Sequence, residues 1–204
     1  MEKQTHPTLT KIDHPSVWTA EDVLASSAWL RVLTDDENEE IERAVEQVTR
    51  SGLALNDVSK NTFALPTLGP RLLEMRRELL HGRGFLQIRG LAHDRLGAHG
   101  TGIAFWGLGR HLGDEFASQN AKGHLLGHVR DLGESRANVS QRGPYSRETI
   151  PYHVDACDIV GLLCLHPARR GGESSVVSSG HLYNLLLDED PSYAAALFEP
   201  VFRD

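Results

Sequence analysis

The sequence contains few cysteines and lysines, and it has no long apolar run. Cys157 and Cys164 are the two cysteines; they cannot form a disulfide framework, and they lack the spacing of a zinc ribbon. No stretch approaches the roughly 18 consecutive apolar residues that read as a membrane span. Residues 1–15 have no apolar segment of the kind found in secretion signals. These absences predict a cytoplasmic protein with no membrane partner.

The balance of charge argues against a nucleic-acid partner. The chain has 28 acidic and 21 basic residues, and its formal net charge of −7 is spread along the sequence. Nucleic-acid phosphates bind to basic faces, which this composition does not favour. With 204 residues and 40% apolar content, the chain is long enough for one domain with a buried core.

The first half of the sequence has helical patterns. Thr19 with Asp22, and Thr34 with Glu37, have the spacing of capping boxes. The second pair is followed by an apolar stripe at positions 41, 44, 45 and 48, and Gly52 is expected to end that helix. Further helices are predicted over 68–81 and 94–112. The core face of the 68–81 helix is expected to contain Leu72, Leu73, Leu79 and Leu80.

The second half favours short strands around a long loop. Strands are predicted at 84–91, 124–131, 150–155, 158–167 and 173–179, with loop filling most of 116–150. The 158–167 segment, DIVGLLCLHP, does not alternate, so it is expected to be buried on both faces. Two short helices follow, over 180–190 and 191–200. Helices followed by strands predict an α+β fold with a β-sandwich or jelly-roll core.

His153 and Asp155 are the first candidate site. Residues i and i+2 of a strand share a face and lie about 6.5–7 Å apart, so an imidazole and a carboxylate can converge on one ion. Two histidines and one carboxylate form the facial triad of non-haem iron(II) oxygenases. The H-x-D triplet is also frequent by chance, and zinc hydrolases use the same ligand types. The pair alone leaves these interpretations open.

The surrounding motifs narrow the choice. The triplet HVD (153–155), the apolar segment DIVGLLCLHPA (158–168), GGES (171–174) and VVSSGHLYN (176–184) occur in succession. Upstream are HGRGFLQIRGL (81–91) and SQNAKGHLLGHVRDLG (118–133). Over residues 66–204 this series resembles the TauD/TfdA-type Fe(II)/2-oxoglutarate-dependent dioxygenases of the clavaminate synthase-like superfamily.

The resemblance implies a fold and a set of site residues. Residues 1–65 would form an N-terminal arm and helices, and residues 66–204 the first part of an oxygenase domain with a double-stranded β-helix (jelly-roll) core. His153 and Asp155 would bind Fe(II), Ser174 would hold 2-oxoglutarate, and Gln119 and Asn120 would line the substrate pocket. No catalytic residue is expected beyond the metal ligands. The implied reaction oxidises a small molecule, by hydroxylation, using O₂ and releasing succinate and CO₂.

One departure from the family pattern leaves alternatives open. The family has a distal histidine ligand and an arginine for 2-oxoglutarate far beyond the H-x-D triplet, whereas after Ser174 this sequence offers only His181 and Arg203. We therefore expect the chain to correspond to the first half of such an enzyme, without the C-terminal half of the core. The first alternative is a truncated, non-catalytic paralogue that acts as an interaction module, in a homo-oligomer. The second is a zinc-dependent hydrolase.

Overall fold

The computed structural model describes residues 9–113, 124–129 and 150–200. The chain forms two compact units, and each unit is built from several separate segments of the sequence. Among the described residues, the first unit contains 9–34, 74–91 and 164–200, and the second contains 35–73, 92–113, 124–129 and 150–163. No helix in these ranges combines the length and the apolar character needed to cross a membrane.

The second unit is organised by α2 (Asp35–Ser51) and α4 (His93–Leu112), which pack against each other. The predicted stripe on α2 is confirmed, because its four apolar residues are all buried: Ile41, Ala44, Val45 and Val48. Gly52 follows the helix with φ of 67°, a conformation that glycine adopts without strain. A 3₁₀ turn at Leu55–Asp57 then leads toward α3 (Leu68–His81).

Two buried carboxylates on α2 hold α3 in place. Glu40 is 5% exposed, and its two oxygens accept hydrogen bonds from the backbone N–H groups of Thr67 and Leu68, each at 2.8 Å. These amides lie at the N-terminus of α3, where N–H groups lack partners inside the helix. Glu37, also buried, accepts from Arg71 Nη1 at 2.7 Å through both oxygens. The side chains of Glu37 and Glu40 therefore join the N-terminal part of α2 to the start of α3 by hydrogen bonds.

The helix α4 bends at Gly97, whose φ of 64° and ψ of 177° are not helical. Thr101 Oγ1 donates to the Gly97 carbonyl at 2.6 Å and lies 3.2 Å from the His93 carbonyl, so it satisfies a backbone group freed by the bend. Farther along, a Cβ on Gly107 would lie 2.5 Å from the ring of Phe63, which is fully buried. This glycine lets the Phe63 ring pack against the helix backbone.

The first unit contains α1 (Ala20–Leu24), β1 (Leu30–Val32), β2 (Gln87–Arg89), α5 (Ser179–Glu189) and α6 (Pro191–Ala196). The predicted capping box at Thr19 and Asp22 is confirmed. Hydrogen bonds from the backbone N–H and then the hydroxyl of Thr19 hold the pKa of Asp22 below its ordinary value. The two short strands pair in parallel, with Leu30 opposite Gln87. Gly90, at φ 86°, ends β2 as the sequence predicted.

The N-terminal arm is hydrogen-bonded to α5. Asn184 Oδ1 accepts from the Ile12 N–H at 2.8 Å, and Asn184 Nδ2 donates to the Ile12 carbonyl at 2.9 Å. Ser178, the N-cap of α5, donates through Oγ to the Ser16 carbonyl at 2.6 Å. Both predicted C-terminal helices, α5 and α6, are confirmed.

The core face predicted for α3 is partly wrong. Leu72 is buried as expected, but Leu73 and Leu80 are 45% and 38% exposed. The buried positions are Leu68, Leu72 and Met75, which recur at i, i+4 and i+7. Leu73 and Leu80 lie one position past this stripe, about 100° around the helix. Because leucines occupy both positions at 72–73 and at 79–80, the sequence pattern did not indicate which leucine of each pair is closer to the core.

Several predicted strands are wrong in the described residues. The segments 124–129, 150–155, 158–167 and 173–177 have no strand, and α5 and its cap take the end of the last one. The expected burial of 158–167 on both faces is also wrong, because Val160 and Leu162 are 53% and 75% exposed and Cys164 is exposed. A strand needs a hydrogen-bonded neighbour, and no described segment pairs with these residues. The chain thus has a mixed α/β structure with a small sheet and many helices, while the jelly-roll core stays a prediction.

Candidate metal site

His153 and Asp155 face each other in an irregular segment. Their Nε2 and Oδ1 atoms are 3.9 Å apart, and the two side chains are 56% and 53% exposed. The expected convergence of the side chains is present, although no strand carries them. Exposure on this scale makes any direct ion pair between them weak. Their use as metal ligands stays a prediction.

The His153 ring is oriented by a neighbouring backbone group. Its Nδ1 lies 2.8 Å from the carbonyl oxygen of Pro151. A carbonyl can only accept, so Nδ1 carries the hydrogen of this bond. In the neutral ring, Nε2 then presents a lone pair on the side of Asp155. Two electron-pair donors that face each other without a hydrogen between them favour a cation.

The distance between the two donor atoms is longer than a single bound ion would require. Two adjacent ligands at about 2.1 Å from a metal stand about 3 Å apart, so the observed 3.9 Å would have to shorten by about 1 Å. Because both side chains are largely exposed, rotation about their side-chain bonds can supply this movement. Among the described residues, no group of three or more His, Cys, Asp or Glu side chains is placed to hold an ion.

His181 and Arg203 are the only histidine and arginine that follow Ser174 in the sequence, where the family has its distal histidine and arginine. His181 lies in the first turn of α5, where its backbone N–H donates to Ser178 Oγ at 2.9 Å. Its ring is close enough to Asp22 to add a small electrostatic contribution to the lowered pKa of that carboxyl, after the larger effect of Thr19. Arg203 lies outside the described residues.

Ser174 follows a turn that requires glycine. Gly171 and Gly172 have φ values of 77° and 83°, and a Cβ on Gly172 would approach the Ala168 side chain to 3.2 Å. The turn leaves Ser174 exposed, and its hydroxyl has no hydrogen-bond partner within the part of the chain that the structure describes. Its predicted contact with 2-oxoglutarate is untested.

The predicted substrate-pocket residues Gln119 and Asn120 lie outside the described residues. Nearby in sequence, Leu126 and His128 line a cavity of about 430 Å³ in the second unit, together with α2 residues and with His99 of α4. A smaller cavity of about 270 Å³ in the first unit contains Trp18 and Arg83. Neither cavity is lined by His153, Asp155 or Ser174. The sequence pattern did not indicate His99 as a cavity residue.

Comparison with known proteins identifies the protein family to which this chain belongs. The model of the taurine catabolism dioxygenase TauD, TfdA family matches residues 44–200, and the chain belongs to that family. The "FR-33289 synthase" of Streptomyces rubellomurinus is 35% identical over 190 residues, covering 93% of this chain and 56% of the relative. The "Taurine hydroxylase-like protein SAT17" of Stachybotrys chartarum is 27% identical over 195 residues, covering 93% and 51%. The chain therefore spans about half the length of these curated relatives.

Proposed function

We propose that this chain contributes to the active site of an Fe(II)/2-oxoglutarate-dependent dioxygenase that hydroxylates a small molecule. His153 and Asp155 would be two of the iron ligands, and Ser174 would bind a carboxylate of 2-oxoglutarate. Iron(II), with 2-oxoglutarate and O₂, supplies the oxidising power for such a reaction, in which succinate and CO₂ are released. The chain's own residues bind and orient these groups.

The observation that carries the proposal is the arrangement of the His153–Asp155 pair. The bond from Nδ1 to the Pro151 carbonyl directs the Nε2 lone pair of a neutral ring toward a carboxylate 3.9 Å away. Imidazole nitrogen and carboxylate oxygen are ligand types of non-haem iron sites. Membership of the dioxygenase family supports the same metal chemistry. Ser174 is added because it follows the Gly171–Gly172 turn with an exposed, available hydroxyl.

The test is an iron(II) titration of the whole chain under argon, with and without 2-oxoglutarate. We expect His153→Ala and Asp155→Ala each to lower iron affinity by more than about tenfold, because each removes a direct ligand. His166→Ala and Asp158→Ala are the matched controls, since both residues are exposed and lie in the same part of the sequence. They should leave the affinity unchanged.

The alternatives predict different outcomes of this titration. Zinc binding that depends on His153 and Asp155, with no response of the iron affinity to 2-oxoglutarate, would favour a zinc-dependent hydrolase. Equal iron affinity in the parent and in both alanine variants would show that the pair is no metal site. That result would favour a non-catalytic interaction module.

A further inference from the structure

We infer that Pro151 is a positioning residue for the candidate iron site, which sets the tautomer of His153 before any metal arrives. This inference rests on the proposed function of the His153–Asp155 pair and adds a residue that takes no part in coordination. Pro151 would act through its backbone carbonyl, which lies 2.8 Å from His153 Nδ1.

The first step of the argument concerns the tautomer. A neutral histidine side chain in water favours the hydrogen on Nε2, which would place an N–H, and not a lone pair, toward Asp155. The Pro151 carbonyl reverses this preference, because it accepts only from an Nδ1 that carries the hydrogen. Metal-binding histidines commonly donate a hydrogen bond from their second ring N–H to a carbonyl or carboxylate in this way, and this bond orients the ring and raises its basicity.

The second step concerns the short connection between the carbonyl and the ring. The bond joins residues i and i+2, so its length depends on the backbone torsions of Tyr152 and His153 and on the side-chain torsions of His153. The segment is exposed and has no strand or helix, so regular backbone hydrogen bonds do not hold these torsions. The bond to the Pro151 carbonyl is therefore a local contact, and loosening the backbone at Tyr152 should weaken it.

The third step concerns the alternative partner of the ring. Without the Pro151 bond, the exposed imidazole could turn and donate from Nε2 to Asp155, whose Oδ1 is 3.9 Å away. Such a bond would occupy both electron-pair donors of the site and would have to break before a cation could enter. Holding Nδ1–H on the carbonyl keeps Nε2 and Oδ1 both available.

The tautomer is measured by long-range ¹H–¹⁵N NMR on the metal-free chain, at a pH where the imidazole is neutral. We expect the His153 ring to have its hydrogen mainly on Nδ1, while exposed histidines such as His14 serve as references within the same spectrum. A His153 ring that is mainly Nε2–H would overturn the inference, whatever the metal titration gives.

The role of the Pro151 carbonyl is tested by Tyr152→Gly, which loosens the backbone between the carbonyl and the ring, with Val160→Gly as the control at another exposed position of the same region. Tyr152→Gly should shift His153 toward the Nε2–H form and lower iron(II) affinity by about tenfold, the low end for an outer contact because the carbonyl itself remains. An affinity loss no larger than that of Val160→Gly would overturn the inference.

These outcomes are distinguishable from failure of the proposed function. If His153→Ala abolishes iron binding while Tyr152→Gly has no effect, the metal site stands and only the role of the Pro151 carbonyl falls. If His153→Ala has no effect on iron affinity, the metal site itself is wrong. Circular dichroism of both glycine variants checks that the fold is retained, and the tautomer of the parent chain decides the matter if either variant unfolds.

Discussion

Single side chains of two kinds can be tested: the first kind holds the terminus of a helix, and the second kind, to which we assign Ser174, is proposed to bind a ligand. If its hydroxyl donates to a carboxylate of 2-oxoglutarate, Ser174→Ala should weaken 2-oxoglutarate binding by about 1.5–3 kcal/mol, the range for a hydrogen bond to a charged group. The measurement is calorimetric titration of the iron-loaded chain. The neighbouring Ser175→Ala is the matched control, and equal affinities for the two variants would remove Ser174 from the site.

Glu40 belongs to the first kind. Glu40→Ala removes the acceptor of two backbone N–H groups at the start of α3 and leaves the buried Leu68 N–H and the partly buried Thr67 N–H without that partner. The free energy of unfolding should fall by about 2–3 kcal/mol. Urea unfolding with an unchanged slope would measure this loss.

The adjacent Glu39 provides the control for Glu40. It is 58% exposed and forms a 3.6 Å ion pair with Arg43, one turn along the helix. Such pairs contribute less than about 0.5 kcal/mol, so Glu39→Ala should be nearly neutral. If the two variants lost the same stability, the buried carboxylate would not be the anchor of α3.

At the scale of elements, two glycines of α4 differ in whether a side chain would fit at their position. A Cβ on Gly107 would enter the Phe63 ring at 2.5 Å, whereas one on Gly102 would make ordinary contact with Leu126 at 3.6 Å. Gly107→Ala should therefore lower the free energy of unfolding by about 1–3 kcal/mol. Gly102→Ala should raise it by up to about 1 kcal/mol, because alanine favours a helix. Thermal unfolding of the pair checks the prediction, and a shared sign would contradict it.

The helices could be predicted because their signals are local. Thr19 and Asp22 lie within one turn, and the α2 stripe repeats within a single element, so neighbouring residues define both. Strands are different, because their hydrogen bonds come from distant segments. The Gln87–Arg89 strand forms where Leu30–Val32 supplies a partner, whereas 158–167 has the apolar composition of a strand without one. Composition alone therefore overestimated the β content of the segments 124–129 and 150–200.

The candidate site was predictable only in part for a similar reason. The spacing and the family motifs single out His153 and Asp155, whose Nε2 and Oδ1 atoms lie 3.9 Å apart, while their role as metal ligands stays a prediction. The contribution of Pro151 depends on the position of a backbone carbonyl, which side-chain patterns do not reveal. The bend at Gly97, two residues before the cavity-lining His99, was likewise not indicated by any spacing rule.

At the scale of the whole molecule, many apolar side chains are exposed. Within the second unit, Val154 and Leu162 are 80% and 75% exposed, and in the first unit Leu197 and Phe198 are 60% and 52% exposed. Exposed apolar patches favour association. The chain in isolation should therefore exceed its monomer mass in light scattering after gel filtration, in a concentration-dependent manner.

A pair of substitutions makes this prediction specific. Leu162→Gln should lower the apparent mass, whereas Leu24→Gln should not, because Leu24 is a single exposed leucine of the short helix α1. A monodisperse monomer in the parent chain would contradict the prediction.

The hydrogen bonds between the arm and α5 have a consequence for the order of events during synthesis. Ile12 and Asn184 are separated by 172 positions, so their bonds cannot form until Asn184 has left the ribosome. The packing of α2 against α4, in contrast, needs nothing beyond Leu112. Vectorial synthesis therefore leaves the segment around Ile12 without its α5 partner while α2 and α4, which follow it in the sequence, are already able to pack.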